Sequence, residues 1–490
     1  MVASQSSSMA TNQSSSLIVA TFARLVTTRS DDAMLASPQR QATFGEVDTL
    51  GIAVCHRLVT DGIVPGTLVG LSAPNGPAFF AGLLGLRRAG AVPLLLDPSA
   101  PEEDRQRAVR ELRAAGVLSC QNAWPAAPDE FQWLAAKATH ELPLSGIGVV
   151  KLTSGSTGAA RGVALREEQL LADEDALARS MGLLPSDRLL SVLPLSHSYG
   201  FTTLALSAAV RGLTLILPTA QGPFAPLEAA QLLGATVFPT VPAYLQALLK
   251  LSEPPVWPAQ LRLVISAGAP LPARTAAQFR QTYGQAVHAF YGSSECGGIC
   301  YDRQGDAAER GTVGTPVEGV RISLAPGEDD DSGEGVVTVE SSAVGVTYLP
   351  QADPRLTEGR FLTRDHAEWR GDELALLSRL DDVINLRGRK VDPSEVEKVL
   401  ASLDGVDEAV VIGVGSPGGG DDTVRAVVAS TTGQLDYERV ATWCRERLAE
   451  HKVPRSIIFV DTLPRTPRGK IDRAALRAQG FGRDEGRDRA

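Results

Sequence analysis

A run of glycines and small hydroxyl residues between two apolar segments carries the clearest chemical signal in this sequence. It comprises Thr153, Ser154, Gly155, Ser156, Thr157 and Gly158, and it follows the apolar segment Ile147-Gly148-Val149-Val150. Glycine lets the backbone approach a ligand closely, successive N–H groups form a concave anion site, and the hydroxyls add donors. The run therefore predicts a strand that ends in a phosphate-binding loop, although a plain flexible loop has the same composition. It lacks the Gly-Lys-Ser/Thr that closes a Walker A motif.

Four later segments combine ionisable or aromatic side chains with small residues. They are Tyr291-Gly292-Ser293-Ser294-Glu295, Leu362-Thr363-Arg364-Asp365, residues 378–388 (Ser-Arg-Leu-Asp-Asp-Val-Ile-Asn-Leu-Arg-Gly) and residues 464–473 (Pro-Arg-Thr-Pro-Arg-Gly-Lys-Ile-Asp-Arg). Together with residues 153–162, and in this order, they resemble the phosphate loop, Tyr-Gly-x-Thr-Glu, Thr-Gly-Asp, hinge and C-terminal lysine blocks of the adenylate-forming superfamily. Its members are acyl- and aryl-CoA synthetases, luciferases and the adenylation domains of peptide synthetases. The resemblance covers nearly the whole chain, since residues 43–98 are similar to the family's opening segment.

The chain departs from the family pattern at a few positions. Arg161 stands where the family has the lysine of Pro-Lys-Gly, and a guanidinium keeps the charge but not the geometry of an ammonium. Ser294 replaces Thr, and Arg364 replaces the Gly of Thr-Gly-Asp. In the hinge block, Ser378 and Asn385 replace Gly and Lys. Of these departures, Arg161 bears most directly on contacts with the triphosphate.

The resemblance implies that ATP activates a carboxylic acid to an acyl-adenylate, with release of pyrophosphate, before the acyl group passes to a thiol. Both reactants of the first step are anionic, so the site must neutralise charge and align them. By resemblance, the nucleotide contacts are Thr153, Ser154, Gly155, Ser156, Thr157, Gly158, Arg161, Tyr291, Ser294, Asp365 and Arg379. Tyr291 is expected to stack on adenine, and Asp365 and Arg379 to contact the ribose. A core aromatic and a surface ion pair are the alternative interpretations of these three residues.

The resemblance also assigns three catalytic residues and one hinge residue. Glu295 is expected to bind Mg²⁺, a hard cation that prefers carboxylate oxygen. Lys470 is a flexible cation suited to the charge that develops on the attacked α-phosphate. His197 lies in a segment similar to the family's His/aromatic segment beside the substrate, although a lone histidine also fits a structural role. Asp381 occupies the matching hinge position, about which the family rotates its small domain between the two half-reactions.

The pocket for the acid is assigned by resemblance to small and apolar residues. They are His197, Phe201, Gly268, Ala269, Gly297 and Gly298. Amino-acid-activating domains use an aspartate near the start of the helix that follows His197, and the local sequence Pro-Leu-Ser-His-Ser has none. A fatty or aromatic acid is therefore favoured over an amino acid.

Composition and charge exclude several other classes of protein. The net charge is −10, from 47 basic and 57 acidic residues, and no basic cluster indicates a nucleic-acid partner. No stretch reaches about eighteen consecutive apolar residues, the length that a membrane helix requires. The five cysteines are scattered, which is typical of a reducing compartment and predicts a cytoplasmic protein. The oligomeric state stays open.

Apolar runs alternate with helical segments through most of the chain, as at residues 68–71, 92–96 and 213–217. This alternation predicts an α/β fold with buried, mostly parallel strands. Residues 311–340 indicate a small antiparallel β-barrel or sheet. The segment beyond 381 reads as a small α+β domain, mobile by resemblance, with one helix capped by Ser394 and another over residues 437–451.

These patterns predict four parts of the chain. They are a disordered leader (1–16), an N-terminal adenylation domain that binds ATP and the acid (17–380), a mobile C-terminal domain (381–478) and a tail (479–490). Because 20 residues follow Lys470, we expect no fused carrier domain. The sequence therefore predicts a free-standing acid–thiol ligase that uses ATP and Mg²⁺ and transfers the acyl group to coenzyme A. Transfer to a separate acyl carrier protein, or a pseudoenzyme that binds nucleotide or acyl chains, are the alternatives.

Overall fold

The computed structural model describes most of the chain and divides it into two compact units. The described residues are 16–136, 144–153, 160–219, 222, 224–326, 333–379, 384–386, 389–416, 420–430, 435–465, 471–478 and 483–484. The first unit comprises Met1–Glu309, Pro316–Arg321 and Val339–Phe361, and the second comprises Arg310–Thr315, Ile322–Thr338 and Leu362–Ala490. The domain boundaries expected from the sequence stay a prediction.

The α-helices are α1 Leu17–Arg29, α2 Phe44–Thr60, α3 Pro77–Arg88, α4 Glu102–Glu111, α5 Glu167–Ser180, α6 Ser198–Gly200, α7 Ala225–Leu233, α8 Pro242–Leu249, α9 Ala273–Tyr283, α10 Ala307–Arg310, α11 Pro393–Ala401, α12 Tyr437–Arg445 and α13 Arg473–Ala478. A π-helix, Phe201–Arg211, continues directly from α6. Short 3₁₀ turns occur at Pro128–Glu130 and Glu450–Lys452. Of the helices in the described part of the chain, none combines the length and apolar character that a bilayer crossing requires.

The strands are β1 Ala33–Ala36, β2 Gln41–Thr43, β3 Leu68–Ser72, β4 Val92–Leu96, β5 Gly116–Ser119, β6 Gln132–Ala135, β7 Val149–Thr153, β8 Arg161–Leu165, β9 Arg188–Leu190, β10 Thr214–Ile216, β11 Val237–Thr240, β12 Leu263–Ser266, β13 Val287–Ser293, β14 Gly297–Tyr301, β15 Thr315–Pro316, β16 Arg321–Pro326, β17 Glu334–Glu340, β18 Thr347–Leu349, β19 Leu356–Thr357, β20 Arg360–Arg370, β21 Glu373–Arg379, β22 Ile384–Leu386, β23 Arg389–Val391, β24 Glu408–Ser416, β25 Gly420–Ala429, β26 Ser456–Val460 and β27 Arg483–Asp484.

Two large sheets form the frame of the first unit. One has the order β15-β14-β13-β12-β11-β9-β10-β1-β2, and the other β18-β8-β7-β4-β3-β5-β6. Their central strands pair in parallel, as in β11–β12 and β4–β7, and antiparallel strands stand at the edges. Strands β3 and β4 are buried along their whole length, as expected of parallel strands with both faces covered. The predicted α/β fold is confirmed.

The carboxyl ends of the parallel strands place polar segments at the sheet edges. In the second of these sheets, Leu95 of β4 is the register partner of Lys151 of β7. The residues near the end of each strand, Asp97 and Thr153, therefore leave the sheet at the same edge. Open parallel sheets commonly bind their ligands at this edge.

The second unit contains two further sheets and a hairpin. Strands β16, β17 and β20 are neighbours in one sheet, on which β21 pairs antiparallel with β20. Strands β22 and β23 form the hairpin, and β24-β25-β26-β27 form the other sheet. Helices α11 and α12 bury their apolar faces against that last sheet, with Val396, Leu400 and Val440 in its core.

Two local predictions in the second unit were wrong. Helix α11 is capped by Asp392, whose side chain accepts from the Ser394 N–H, rather than by Ser394. Pro393 takes the first helical position, where its missing N–H costs nothing, so the cap lies one residue before it. Helix α12 ends at Arg445 and a 3₁₀ turn covers Glu450–Lys452, so the single helix expected over residues 437–451 is interrupted.

Candidate active site

The predicted phosphate loop connects two antiparallel strands. Residues 154–158 lie outside the described residues, but the strands on either side are described. Thr153 and Arg161 are register partners of β7 and β8, and the Thr153 hydroxyl donates to the Arg161 carbonyl over 3.3 Å. The loop therefore joins a hairpin and does not lead into a helix, in contrast to a Walker A loop.

Arg161 is engaged by two side chains of its own unit. Its guanidinium lies 4.1 Å from the centroid of the Tyr348 ring, a distance typical of a cation–π contact. Its Nη2 lies 3.2 Å from Oδ2 of Asp353. Arg355 also donates to Asp353, and the hydrogen bonds from Arg355 chiefly hold the pKa of Asp353 far below its usual range. The structure thus places Arg161 at the base of the loop with its charge already countered.

Glu295 lies in the turn between β13 and β14, and Tyr348 reaches it from β18. The Tyr348 hydroxyl donates to Oε1 of Glu295 over 2.9 Å. Burial, followed by the negative charge of Glu295, raises the pKa of Tyr348 well above its usual value, so the phenol stays a donor. In the described part of the chain, Oε2 of Glu295 accepts no hydrogen bond. Glu295 is half-buried and keeps a hard oxygen that fits Mg²⁺.

His197 forms a pair that the sequence reasoning missed. Its Nε2 lies 2.7 Å from Oδ2 of Asp97, a residue only 5% exposed that follows β4. Burial alone would raise the pKa of Asp97, but hydrogen bonds from His197 and from Ser99 outweigh it and lower the pKa to about 2. Asp97 is therefore ionised at neutral pH. It accepts a hydrogen bond from Nε2 of His197 and so fixes the orientation of the imidazole ring.

The His197 segment and the Glu295 segment meet through their serines. The hydroxyls of Ser198 and Ser294 lie 2.6 Å apart. One residue on, the Tyr199 hydroxyl donates to the Ile265 carbonyl over 3.1 Å. These contacts bring the histidine segment and the Tyr-Gly-Ser-Ser-Glu segment, 96 residues apart in sequence, to one side of the nine-stranded sheet. Tyr291, the predicted adenine contact, is half-buried on β13 in the same segment.

The predicted pocket residues fall into two groups. Gly268 and Ala269 are exposed beyond the end of β12. Gly268 has a φ of +84°, and among the described residues Val241 alone lies within 4 Å of the position that a Cβ would take. Phe201, in contrast, is fully buried.

The two glycines of β14 pack closely against helix α5. A side chain on Gly297 would lie 2.2 Å from the Asp173 carboxyl carbon, and one on Gly298 would lie 2.6 Å from Leu177. Their small size is thus required for packing against α5, and their predicted place in the pocket wall stays a prediction.

Asp173 belongs to a buried polar cluster that sequence reasoning also missed. Lys151 of β7 is 1% exposed and donates to Thr202 of the π-helix over 3.2 Å. Asp173 is 4% exposed and accepts from the Gly298 N–H over 2.9 Å. The sequence signal for Lys151 was a cation inside an apolar strand, between Val150 and Leu152. The signal for Asp97 was an acidic residue directly after a wholly apolar strand.

Asp365 and Arg379, the predicted ribose contacts, belong to the second unit. They are register partners on β20 and β21, and Nε of Arg379 lies 3.3 Å from Oδ1 of Asp365. The Asp365 N–H donates to the Thr363 hydroxyl over 3.0 Å within β20. The two residues thus form one carboxylate–guanidinium pair on neighbouring strands, and their contact with the ribose stays a prediction.

Besides residues 154–158, two predicted functional residues lie outside the described residues. They are Lys470 and Asp381. An antiparallel bridge between Arg465 and Ile471 closes the loop that carries Lys470. Arg465 also pairs with Glu408 of β24 over 2.8 Å. The base of the lysine loop is therefore fixed to the C-terminal sheet.

Comparison with protein-family models decides which family the chain belongs to. The model of AMP-binding enzymes matches residues 22–349, and the model of their C-terminal domain matches residues 395–470. The chain belongs to the AMP-binding enzymes. The predicted family, the α/β fold and an AMP-forming acyl-CoA ligase as the enzyme class are thereby confirmed.

Curated relatives include both free-standing ligases and parts of much larger synthetases. Feruloyl-CoA synthase of an Amycolatopsis species is 30% identical over 89% of this chain and 93% of its own length. A linear gramicidin synthase of Brevibacillus parabrevis is 25% identical over 92% of this chain but only 9% of its own length. The o-succinylbenzoate-CoA synthetase of Bacillus subtilis, solved with its acyl-adenylate intermediate, shares the fold at a TM-score of 0.80 and 20% identity, over 94% of this chain and 99% of that structure.

Proposed function

We propose that this AMP-binding enzyme activates an aromatic or fatty carboxylic acid with Mg-ATP and transfers the acyl group to coenzyme A. The observation that carries the proposal is the convergence of three distant motifs in the first unit. Arg161 at the phosphate loop stacks on Tyr348, Tyr348 donates to Glu295, and the Glu295 segment contacts the His197 segment through Ser294. These are the groups that the first half-reaction needs side by side.

Each group has a distinct task in that half-reaction. The acid's carboxylate attacks the α-phosphate and pyrophosphate leaves, so negative charge must be stabilised along the whole triphosphate. The loop of residues 154–158 supplies N–H and hydroxyl donors to the phosphates, and Lys470 supplies a cation for the α-phosphate. Asp365 and Arg379 hold the ribose and Tyr291 stacks on the adenine. Aligning two anionic reactants in this way contributes more to the rate than any single contact.

Glu295 is the proposed ligand of the magnesium ion. Its Oε2 is uncommitted within the described residues, and Tyr348 fixes the orientation of the carboxylate through Oε1. A bound Mg²⁺ would offset charge on the phosphate oxygens of ATP. Arg161 then acts on Glu295 indirectly. It stacks on Tyr348 and pairs with Asp353, and these contacts restrain Tyr348, which orients Glu295.

His197 is proposed to stand beside the carboxylate of the acid. The ionised Asp97 holds the ring through Nε2, which fixes the edge of the imidazole that faces the acid. In the segment that follows His197, Phe201 is fully buried and packs on Phe79, with 6.4 Å between the ring centroids. An aromatic or aliphatic acid fits such surroundings better than a zwitterion does, and the identity to feruloyl-CoA synthase favours an aromatic acid.

Coenzyme A is the proposed acceptor, and a separate acyl carrier protein is the second candidate. The match over 93% of the length of a feruloyl-CoA synthase favours coenzyme A. The match to a segment of a gramicidin synthase favours a carrier protein. A cytoplasmic location, expected from the scattered cysteines, remains part of the proposal.

A pyrophosphate-release assay tests the proposal directly. The purified chain is given Mg-ATP and a panel of ferulate, benzoate, hexanoate, palmitate and phenylalanine, and the products with coenzyme A or a phosphopantetheinylated carrier protein are identified by mass spectrometry. We expect release with an aromatic or fatty acid and an acyl-CoA product. A thioester formed on the carrier protein alone would identify the carrier protein, and not coenzyme A, as the acceptor. Nucleotide binding without release for any acid would instead indicate a pseudoenzyme.

A further inference from the structure

A lysine ammonium lies deep inside the first unit, directly before the phosphate loop. Lys151 is 1% exposed, and within the described residues its Nζ makes one hydrogen bond, 3.2 Å to the Thr202 hydroxyl. Its Nζ also lies 5.6 Å from the centroid of the Phe201 ring. A buried charge is costly unless another group compensates it. Burial lowers the pKa of Lys151, and the negative charge of Asp173 opposes that effect most strongly.

The cluster continues from Lys151 to the backbone of β14. The Thr202 hydroxyl accepts from Lys151 and donates to the Asp173 carboxylate. Asp173 in turn accepts from the Gly298 N–H over 2.9 Å. One chain of hydrogen bonds therefore links β7, the π-helix, α5 and β14. We call Lys151, Thr202 and Asp173 the buried triad.

The buried triad restrains the position of the first residues of β14. Gly297 has a φ of +70°, and the Asp173 carboxyl carbon lies 2.2 Å from the position that a Cβ would take there. The carboxylate thus occupies the space beside Gly297 and holds the N–H of the next residue. Glu295 lies two residues before Gly297, in the turn that enters this strand. Moving the start of β14 would move the Glu295 carboxylate with it.

We propose that Lys151, Thr202 and Asp173 are positioning residues that hold the Glu295 turn in register with the phosphate loop. The proposal rests on the proposed function, in which Glu295 is the magnesium ligand. The triad joins the three segments that must act together: the strand before the loop, the helix after His197 and the strand after Glu295. A displacement of about 1 Å at such a site lowers the rate by roughly 10²-fold.

An apolar core would stabilise these elements as well as a charged one does. Replacing a buried ion pair by well-packed apolar residues is often neutral or stabilising. An apolar replacement would, however, leave the Gly298 N–H without its acceptor and would let β7 and β14 shift relative to each other. The chain has seven lysines among its 47 basic residues, and one of them occupies this buried position.

A pair of neighbouring threonines provides a matched experiment. Thr202→Val removes the central hydroxyl with little change in shape, whereas Thr203→Val removes a buried hydroxyl that makes no hydrogen bond within the described residues. Two readouts are compared: the rise in melting temperature that Mg-ATP induces, and pyrophosphate release titrated with MgCl₂. We expect Thr202→Val to raise the half-saturating Mg²⁺ concentration and lower kcat by about tenfold or more. The KM for the acid should stay within about twofold, and Thr203→Val should match wild type.

Charge variants keep the test decisive if Thr202→Val folds poorly. Lys151→Met leaves an unpaired buried carboxylate, whereas Lys151→Met combined with Asp173→Asn removes both charges. We expect the double variant to recover melting temperature but not the Mg²⁺ dependence.

Four results would overturn the inference in different ways. Unchanged Mg²⁺ dependence with an altered KM for the acid would make the triad part of the acid pocket. A lower melting temperature with all kinetic constants unchanged would make it structural. If wild type itself showed neither a Mg-ATP shift nor pyrophosphate release, the proposed function would fail together with this inference; a normal wild type that Thr202→Val matches would overturn the inference alone.

Discussion

The hydroxyl of Tyr348 donates to Oε1 of Glu295 over 2.9 Å, across 53 residues of sequence. The same ring carries the Arg161 guanidinium on its face, 4.1 Å from the centroid. One aromatic residue therefore connects the base of the phosphate loop with the proposed magnesium ligand. The arrangement gives Arg161, the main departure from the family's loop pattern, a role that a lysine would fill less well, because guanidinium stacks on aromatic rings.

Replacing Glu295 should reduce pyrophosphate release more than replacing Tyr348. We expect Glu295→Ala to reduce pyrophosphate release severely at any Mg²⁺ concentration, because Glu295 is the acidic residue of its Tyr-Gly-Ser-Ser-Glu segment. Tyr348→Phe removes only the orienting hydrogen bond, which contributes about 1 kcal/mol, so we expect release to fall by roughly fivefold. MgCl₂ titration of pyrophosphate release measures both effects.

Two controls match these variants. Glu358→Ala removes an exposed carboxylate paired with Arg166, and Tyr283→Phe removes a buried hydroxyl that has no hydrogen-bond partner in the described part of the chain. Both should behave as wild type. A Glu295→Ala enzyme with normal release at modest Mg²⁺ would refute the metal assignment.

The Asp97–His197 pair should make stability depend on pH at the acid end. The pKa of Asp97 falls to about 2 in the folded protein, from an ordinary value of 3.8. Because the folded pKa is the lower one, the unfolded chain binds the proton first. The stabilisation, about 2 kcal/mol, is therefore complete above about pH 4 and is lost as the pH falls toward 2.

Asp97→Asn keeps a hydrogen-bond acceptor but removes the charge, and urea unfolding measures the effect. We expect the difference in free energy of unfolding between wild type and Asp97→Asn to be constant from pH 8 to pH 5 and to shrink below pH 4. Asp104→Asn, at an exposed ion pair, should show no such difference. A difference that grew on acidification would mean that the pKa of Asp97 is raised, contrary to this assignment.

The sequence predicted the family, the fold class and the segments that converge at the site, because local motifs carry those signals. It missed Asp97, Asp173 and Tyr348, since each acts through a contact that only the packing of segments distant in sequence creates. Asp97 meets His197 across 100 residues of sequence, and Asp173 meets Gly298 across 125. No periodicity or spacing encodes such pairs.

Two helix ends were predicted wrongly from the local sequence. Ser394 and Asp392 are both good helix caps, and Pro393 between them decided in favour of Asp392. The apolar pattern of residues 437–451 is helical throughout, but the segment after Arg445 turns away to a 3₁₀ turn. Tertiary packing outweighs propensity at such element ends.

Lys470 should separate the two half-reactions. We expect Lys470→Ala to lower acyl-adenylate formation by about 10²–10³-fold, the usual effect of removing one contact to developing charge. Thioester formation from preformed acyl-adenylate should be nearly normal, because no further charge develops on an attacked phosphate. Single-turnover assays of each step measure this, with Lys452→Ala, whose ammonium pairs with Glu395, as the control. Equal losses in both steps would make Lys470 structural.

Asp381 should be the residue about which the C-terminal segment reorients between the two steps, as the family resemblance implies. Such a hinge must change φ and ψ, and proline fixes φ near −65° and removes the N–H donor. We expect Asp381→Pro to retain acyl-adenylate formation and to lose thioester formation, because closure for the second step requires a backbone change that proline forbids. Asp381→Ala, which keeps backbone freedom, should retain both.

Single-turnover measurements on the two variants distinguish a hinge from an ordinary surface acid. If Asp381 serves only stability, proline and alanine should lower both half-reactions together with the melting temperature. If it is the hinge, the ratio of the two rates should change in Asp381→Pro alone, while the melting temperature stays close to that of Asp381→Ala. Because the first step needs one conformation and the second another, a proline compatible with the first selectively raises the free energy of the second.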